Sequence, residues 1–152
     1  MALKSDRIEL LTDISFFMTT VAERGGVVCA TGTSGSGVSM DDANAVVAYS
    51  AVGTGVNPVG VLLNDVVNYD LTRQHINWHK DEVQVGGKVT LLRVGQVTTN
   101  MLVPGISPAA GVKAYVGASG LIGTSSTNSV QIGSFLSSKD ADGYAKVSVN
   151  IA

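Results

Sequence analysis

Short runs in which apolar and polar residues alternate, separated by turn residues, are the dominant pattern of this sequence. The last run is the most regular, since Ala145, Val147, Val149 and Ile151 alternate with polar side chains. A period of two places successive side chains on opposite faces, so each such run predicts a β-strand with one buried face. The runs recur at the spacing of a small antiparallel β-barrel or sandwich, which predicts an all-β domain over residues 25–152.

Residues 1–24 differ from the rest of the chain because they hold seven charges around an apolar run. The run keeps a period of two in part, which indicates either an extended N-terminal arm that docks on a neighbour or the first strand of the domain. A helix starting at Asp6 is a further alternative. The apolar side chains of this run are the predicted capsid or subunit contacts: Ile8, Leu10, Leu11, Ile14, Phe16 and Phe17.

Residues 83–101 predict antiparallel strands joined by a turn in one of two places. A turn at residues 86–88 separates apolar from polar side chains on the two faces, which favours it. The alternative is a turn at residues 94–95. The apolar positions change from odd to even numbers at residues 91–92, which indicates a β-bulge.

Composition adds a reason to expect a packed surface. Only 14% of the residues are charged, against about 25% in an average soluble domain. Residues 25–64 hold two charges and residues 94–138 hold one. A domain of this size cannot hide most of its residues, so much of its surface is small, polar or apolar. We expect the uncharged loops 31–39 and 124–129 at exposed or inter-subunit surfaces.

Several classes of function are disfavoured by the same composition. The net charge is −2 and no basic stripe is present, so we expect no nucleic-acid binding. Neither a membrane-length apolar run nor the apolar stretch of a signal peptide is found, so we expect no membrane contact. Cys29 is the single cysteine and lies in an apolar run, which indicates a buried small hydrophobe rather than a reactive thiol.

The candidate motifs for metals and cofactors are all incomplete. His75 and His79 have helical zinc-site spacing but no catalytic Glu between them. Residues 140–143 resemble part of a calcium loop, yet the closing Glu is missing, and a turn in which Asp caps its own backbone explains them. The glycine-rich segment 31–39 lacks the Lys-Ser/Thr end of a phosphate loop. We therefore expect no metal, no cofactor and no enzymatic activity.

The polar central segment, residues 64–82, offers an alternative function of a different class. It holds both histidines and the only tryptophan. Tyr and Trp combine an apolar ring with a polar group and are enriched at binding interfaces. The alternative is therefore a carbohydrate- or host-surface-binding β module of a virion appendage, with a glycan platform formed by Tyr69, His75, Trp78 and His79.

Residues 57–152 resemble the small β-rich head decoration (cement) proteins of tailed bacteriophages in the spacing of glycines and strands. The resemblance rests on the segments 58–62, 87–91, 111–116, 132–135 and 140–149. It implies a tulip-like β-barrel domain that sits as a homotrimer on three-fold or pseudo-three-fold axes of a capsid, with its N-terminal arm against the shell.

The same resemblance implies a function and a place in the cell. It implies a structural protein made in the host cytoplasm and located on the capsid surface of the virion. Its partners would be the major capsid protein and further copies of itself, and it would stabilise the shell without catalysis.

Overall fold

Strands make up almost all of the regular structure. A computed structural model of the chain describes residues 2–31, 46–63, 68–69, 79–80, 82–127 and 129–152. Over these residues it contains thirteen strands and one 3-10 turn, Ala118–Gly120, which confirms the all-β prediction. The strands are β1 (Ile8–Met18), β2 (Ala22–Glu23), β3 (Val27–Ala30), β4 (Val46–Ala48), β5 (Pro58–Leu62), β6 (Asn68–Tyr69), β7 (His79–Lys80), β8 (Glu82–Val83), β9 (Lys88–Thr99), β10 (Lys113–Val116), β11 (Ile122–Gly123), β12 (Gln131–Phe135) and β13 (Ala145–Asn150).

Five strands, in the order β1, β4, β3, β5 and β9, form a closed ring. The β1–β4 link is parallel and the other four are antiparallel. Strand β9 closes the ring because Leu91 and Leu92 pair with β1 on one edge and with β5 on the other. Outside the ring, the sheet continues from β9 through β13, β12 and β10 to β11. The architecture is thus in keeping with the predicted β-barrel or sandwich.

The side chains inside the ring form one hydrophobic cluster, the inner core. All five ring strands contribute to it, and β2 and β8 add Ala22 and Val83. Because a closed ring leaves no room for water between such side chains, burial there stabilises the barrel. The inner core consists of Met18, Ala22, Val28, Val47, Val59, Leu62, Val83, Val89 and Leu91.

A second and larger cluster, the outer core, lies between the ring and the remaining strands. Phe135 is its largest member and is fully buried. Strands β3, β5 and β9 contribute to both cores, so both of their faces are buried. The outer core consists of Leu3, Val27, Cys29, Val61, Leu63, Leu92, Val97, Leu102, Ala114, Val116, Ile122, Ile132, Phe135, Ala145, Val147 and Val149.

The change of apolar parity in β9 has its explanation in these two cores. Leu91 faces the inner core and Leu92 the outer core, so both are buried without any bulge between them. The irregularity of the pairing with β1 lies further on, where Thr12 pairs with Leu92 and Leu11 with Val94. The predicted bulge therefore exists, but it is displaced toward residue 93.

Both predicted hairpins are wrong. Val83 belongs to β8 and pairs with Ala22 of β2, so the turn at residues 84–87 does not join β8 to β9 as a hairpin. Residues 94–95 lie inside the continuous strand β9. Gly95 has a φ of +154°, and an added Cβ would overlap the carbonyl oxygen of Ile8. This glycine permits the close approach of β1 rather than a turn.

The N-terminal residues are part of the sheet. Residues 8–18 form the strand β1, so the helix from Asp6 is wrong. Leu3 pairs with Thr99 and is buried in the outer core. The amide of Lys4 donates to the Thr98 carbonyl at 2.9 Å. Strand β1 and residues 3–4 thus both form backbone pairings with β9.

Candidate partner-binding surface on strand β1

Strand β1 carries four of the ten exposed large apolar side chains of the described residues. Leu10 is 74% exposed, Ile14 62%, Ile8 51% and Leu11 47%. Isolated exposed apolar residues are normal, but several close together on one strand mark a binding surface or an aggregation risk. These four side chains are named here the β1 surface.

Irregular pairing with β9 coincides with the two largest of these exposures, in a strand whose residues 8–12 are all exposed. Glu9 pairs with Gly95 and Leu11 with Val94, so Leu10 has no opposite residue. Another irregularity, between Asp13 and Phe16, includes Ile14. An extra residue in one strand is left unpaired and its side chain is re-aimed. The two most exposed apolar side chains of the strand therefore lie where the pairing slips.

The remaining two predicted contact residues are only half-exposed. Phe16 packs against the inner core. The ring of Phe17 has the ammonium of Lys88 at 5.5 Å from its centroid. Both aromatic residues thus have partners within the molecule, while the other four predicted residues are available to a partner.

Asp13 stabilises the irregularity between Asp13 and Phe16. Its Oδ1 accepts hydrogen bonds from the Ser15 amide at 2.8 Å and from the Ser15 hydroxyl at 2.5 Å. Arg93 NH1 lies 3.8 Å from its Oδ2. Desolvation acts to raise the pKa of Asp13, but the bonds from Ser15 and the charge of Arg93 leave that pKa below its usual value. The carboxylate therefore braces the backbone that presents Ile14.

Replacing Asp13 is expected to lower the stability of the protein by an amount that depends on pH. We expect Asp13→Ala to lower the free energy of unfolding by about 1 kcal/mol at pH 7. Because the folded-state pKa is lowered, this contribution is present above the ordinary value of 3.8 and is lost as pH falls through the folded-state pKa. Urea unfolding at several pH values measures it. The wild-type and variant curves should converge in acid, whereas the exposed control Asp142→Ala should match the wild type throughout, and a pH-independent gap would contradict this role.

Two of the four residues of the predicted glycan platform lie outside the described residues. His75 and Trp78 are among those not described, and so are residues 32–39 of the glycine-rich loop. Tyr69 pairs with His79 in the backbone register of β6 and β7. In the other uncharged loop, residues 125–127 are exposed, as predicted.

Two sequence interpretations of single residues are confirmed. Cys29 is buried, and desolvation raises the pKa of its thiol to about 11, so it stays neutral and unreactive. Asp140 braces its own turn, because its Oδ1 accepts from the amides of Asp142 at 3.0 Å and Tyr144 at 2.8 Å. Gly143 has a φ of +87° in the same turn. The hydrogen bond from Tyr144 is the main reason that the pKa of Asp140 is lowered.

Sequence reasoning missed a cluster of polar residues around the start of the chain. Lys4 Nζ lies 3.2 Å from Asp140 Oδ2, and Lys146 Nζ lies 3.1 Å from Asp6 Oδ2. The partners are more than a hundred residues apart in sequence, so no local motif could reveal them. The only available signal was the concentration of charges near the two ends of the chain.

Comparison with known proteins gives no indication of function, so the β1 surface is the main guide to it. Within the described ranges, three or more metal-ligating side chains do not come together. No helix in that part of the chain has the length and apolar character needed to cross a membrane. No protein-family model matches the chain, and no curated protein is significantly similar to it.

Proposed function

We propose that this chain is a structural virion protein that binds the outer surface of a phage capsid and stabilises the shell without catalysis. The exposed apolar side chains of the β1 surface carry the proposal. Each would contribute up to about 1.5–3 kcal/mol if it were fully buried against another protein. Such a surface suits a protein that works while packed on a neighbour.

The proposed partners are the major capsid protein and further copies of this chain, arranged as a homotrimer on the capsid surface. The resemblance to head decoration proteins supports this arrangement. The low charge supports it too, because the cores of protein interfaces are poor in charged residues. Contacts repeated by symmetry reinforce a shell even when each contact is weak. The protein would be made in the host cytoplasm and reside on the virion.

A double substitution on the β1 surface tests the proposal. We expect Leu10→Ser with Ile14→Ser to weaken binding to expanded capsids by about tenfold or more, because two apolar contacts are lost. Both side chains are exposed, so folding should be preserved. Binding is measured by co-sedimentation with purified capsids, with circular dichroism as the folding check.

The matched control is Val52→Ser, which changes a side chain that is 55% exposed and lies outside β1. It should bind capsids as the wild type does. A wild-type protein that ignores capsids and stays monomeric in light scattering would contradict the proposed function. Normal capsid binding by the double variant would contradict the role of the β1 surface.

The alternative, a carbohydrate- or host-surface-binding module of a virion appendage, has one supporting observation. The β6–β7 register brings Tyr69 and His79 to opposite positions of one strand pair. Binding to a glycan array, lost on Trp78→Ala and without any binding to capsids, would select this function instead.

A further inference from the structure

A cavity of about 540 Å³ opens between the start of the chain, the end of β9 and the turn that joins β12 to β13. Its volume lies in the range of small-molecule binding sites. The residues that matter for its chemistry are Lys4, Asp6, Thr98, Lys139, Asp140 and Lys146. This polar cavity has no part in the proposed capsid contact, and nothing about it depends on that function.

The walls of the polar cavity carry an excess of positive charge. Three lysines and two aspartates line it, so its ionisable side chains carry a net charge of +1. Lys4 is held by Asp140 at 3.2 Å and also lies 4.3 Å from the centroid of the Tyr144 ring. Lys146 is held by Asp6 at 3.1 Å. Exposed ion pairs thus accompany two of the ammonium groups in the wall, and each ammonium has further N–H groups to donate.

A hydroxyl group in the wall supplies an independent observation. Thr98 is only 9% exposed, and its Oγ1 has no hydrogen-bond partner among the described residues. Buried hydroxyls are nearly always paired, because an unpaired one has lost its hydration without compensation. Thr98 lines the cavity, and because its Oγ1 has almost no accessible surface, the side chain would rotate to another staggered rotamer to reach a ligand oxygen that enters.

We propose that this polar cavity binds a small oxyanion, a carboxylate or a phosphate group. The excess ammonium charge neutralises the anion, and Thr98 bonds one of its oxygens. Ser137 Oγ accepts from the Lys146 amide at 2.9 Å and keeps its own hydrogen for the ligand. A cation is disfavoured, because both carboxylates of the wall already hold ammonium groups.

Titration of the full chain with defined anions tests this inference. We expect saturable shifts of the backbone amide signals of Ser137, Tyr144 and Lys146 with inorganic phosphate, with glucuronate, or with both, at constant ionic strength. The arm that saturates identifies the source of the oxyanion. Equal shifts with neutral glucose, or no saturation with either anion, would overturn the proposal.

Two variants separate a formed site from general attraction to charge. Lys139→Gln should raise the half-saturating anion concentration by about 3–10-fold, whereas Lys113→Gln, an exposed lysine on β10, should leave it unchanged. Equal effects of the two would overturn the proposal. Thr98→Val removes the unpaired hydroxyl, so it should raise the Tm of the free protein by about 2–4 °C while weakening anion binding. Wild-type affinity in Thr98→Val would also overturn the site.

Discussion

Gly133→Ala is expected to cost about 3–5 kcal/mol of unfolding free energy, close to the whole stability of many domains. Gly133 lies in β12, paired with Ala114 on one side and Val149 on the other. Its φ is +159°, and an added Cβ would overlap the carbonyl oxygen of Ser148 and lie 2.9 Å from the carbonyl carbon. The atoms that it meets are backbone, so no side-chain rotation relieves the contact.

Gly111→Ala provides the matched control. Gly111 also has a positive φ, +89°, but no atom lies within 4 Å of an added Cβ. It should therefore cost only the conformational strain, about 1–2 kcal/mol. Urea unfolding of both variants measures the difference. Equal losses would show that β12 and β13 can separate enough to admit a methyl group, contrary to this account.

The strands buried on one face could be predicted from sequence. In β13, Ala145, Val147 and Val149 are buried and alternate with Lys146 and Ser148, as the period of two predicts. The closing strand has the outer core on one side and solvent on the other. Where a strand has an apolar core on one face only, the period of two shows which of its side chains face that core.

The strands shared by two cores could not be predicted in the same way. Strand β9 has apolar residues directed into both cores, so a change of face looks like a bulge in the sequence. Its glycine at position 95 looks like a turn, although it admits the backbone of β1. The displaced position of the bulge and the wrong turn both arise because close packing on two sides depends on strands that are distant in sequence.

The candidate surface was predicted only in part. Sequence reasoning selected six apolar residues of β1, and four of them are strongly exposed. It did not separate these from Phe16, which packs on the inner core. The slips in register, and the bonds from Ser15 to Asp13, occur at the two most exposed apolar side chains of β1, Leu10 and Ile14. Those features follow from pairing with β9 rather than from local sequence.

Leu92→Ala is expected to lower stability and leave capsid binding unchanged, whereas Leu10→Ala is expected to weaken binding and leave stability unchanged. Leu92 is fully buried in the outer core, so its truncation should cost about 2–5 kcal/mol of unfolding free energy. Leu10 is 74% exposed, so its truncation should change stability by less than about 0.5 kcal/mol. The two residues thus compare the same chemical change in a core and on a surface. Urea unfolding measures both values.

Capsid co-sedimentation of the same two variants completes the comparison. Leu10→Ala should bind capsids more weakly despite normal stability, because the lost methyl groups belong to the β1 surface. Leu92→Ala, assayed below its unfolding midpoint, should bind as the wild type does. If Leu10→Ala instead lost several kcal/mol of stability, its side chain would be packed within the isolated molecule. An exposed leucine that matters only when the partner is present is the pattern that distinguishes a contact surface from a core.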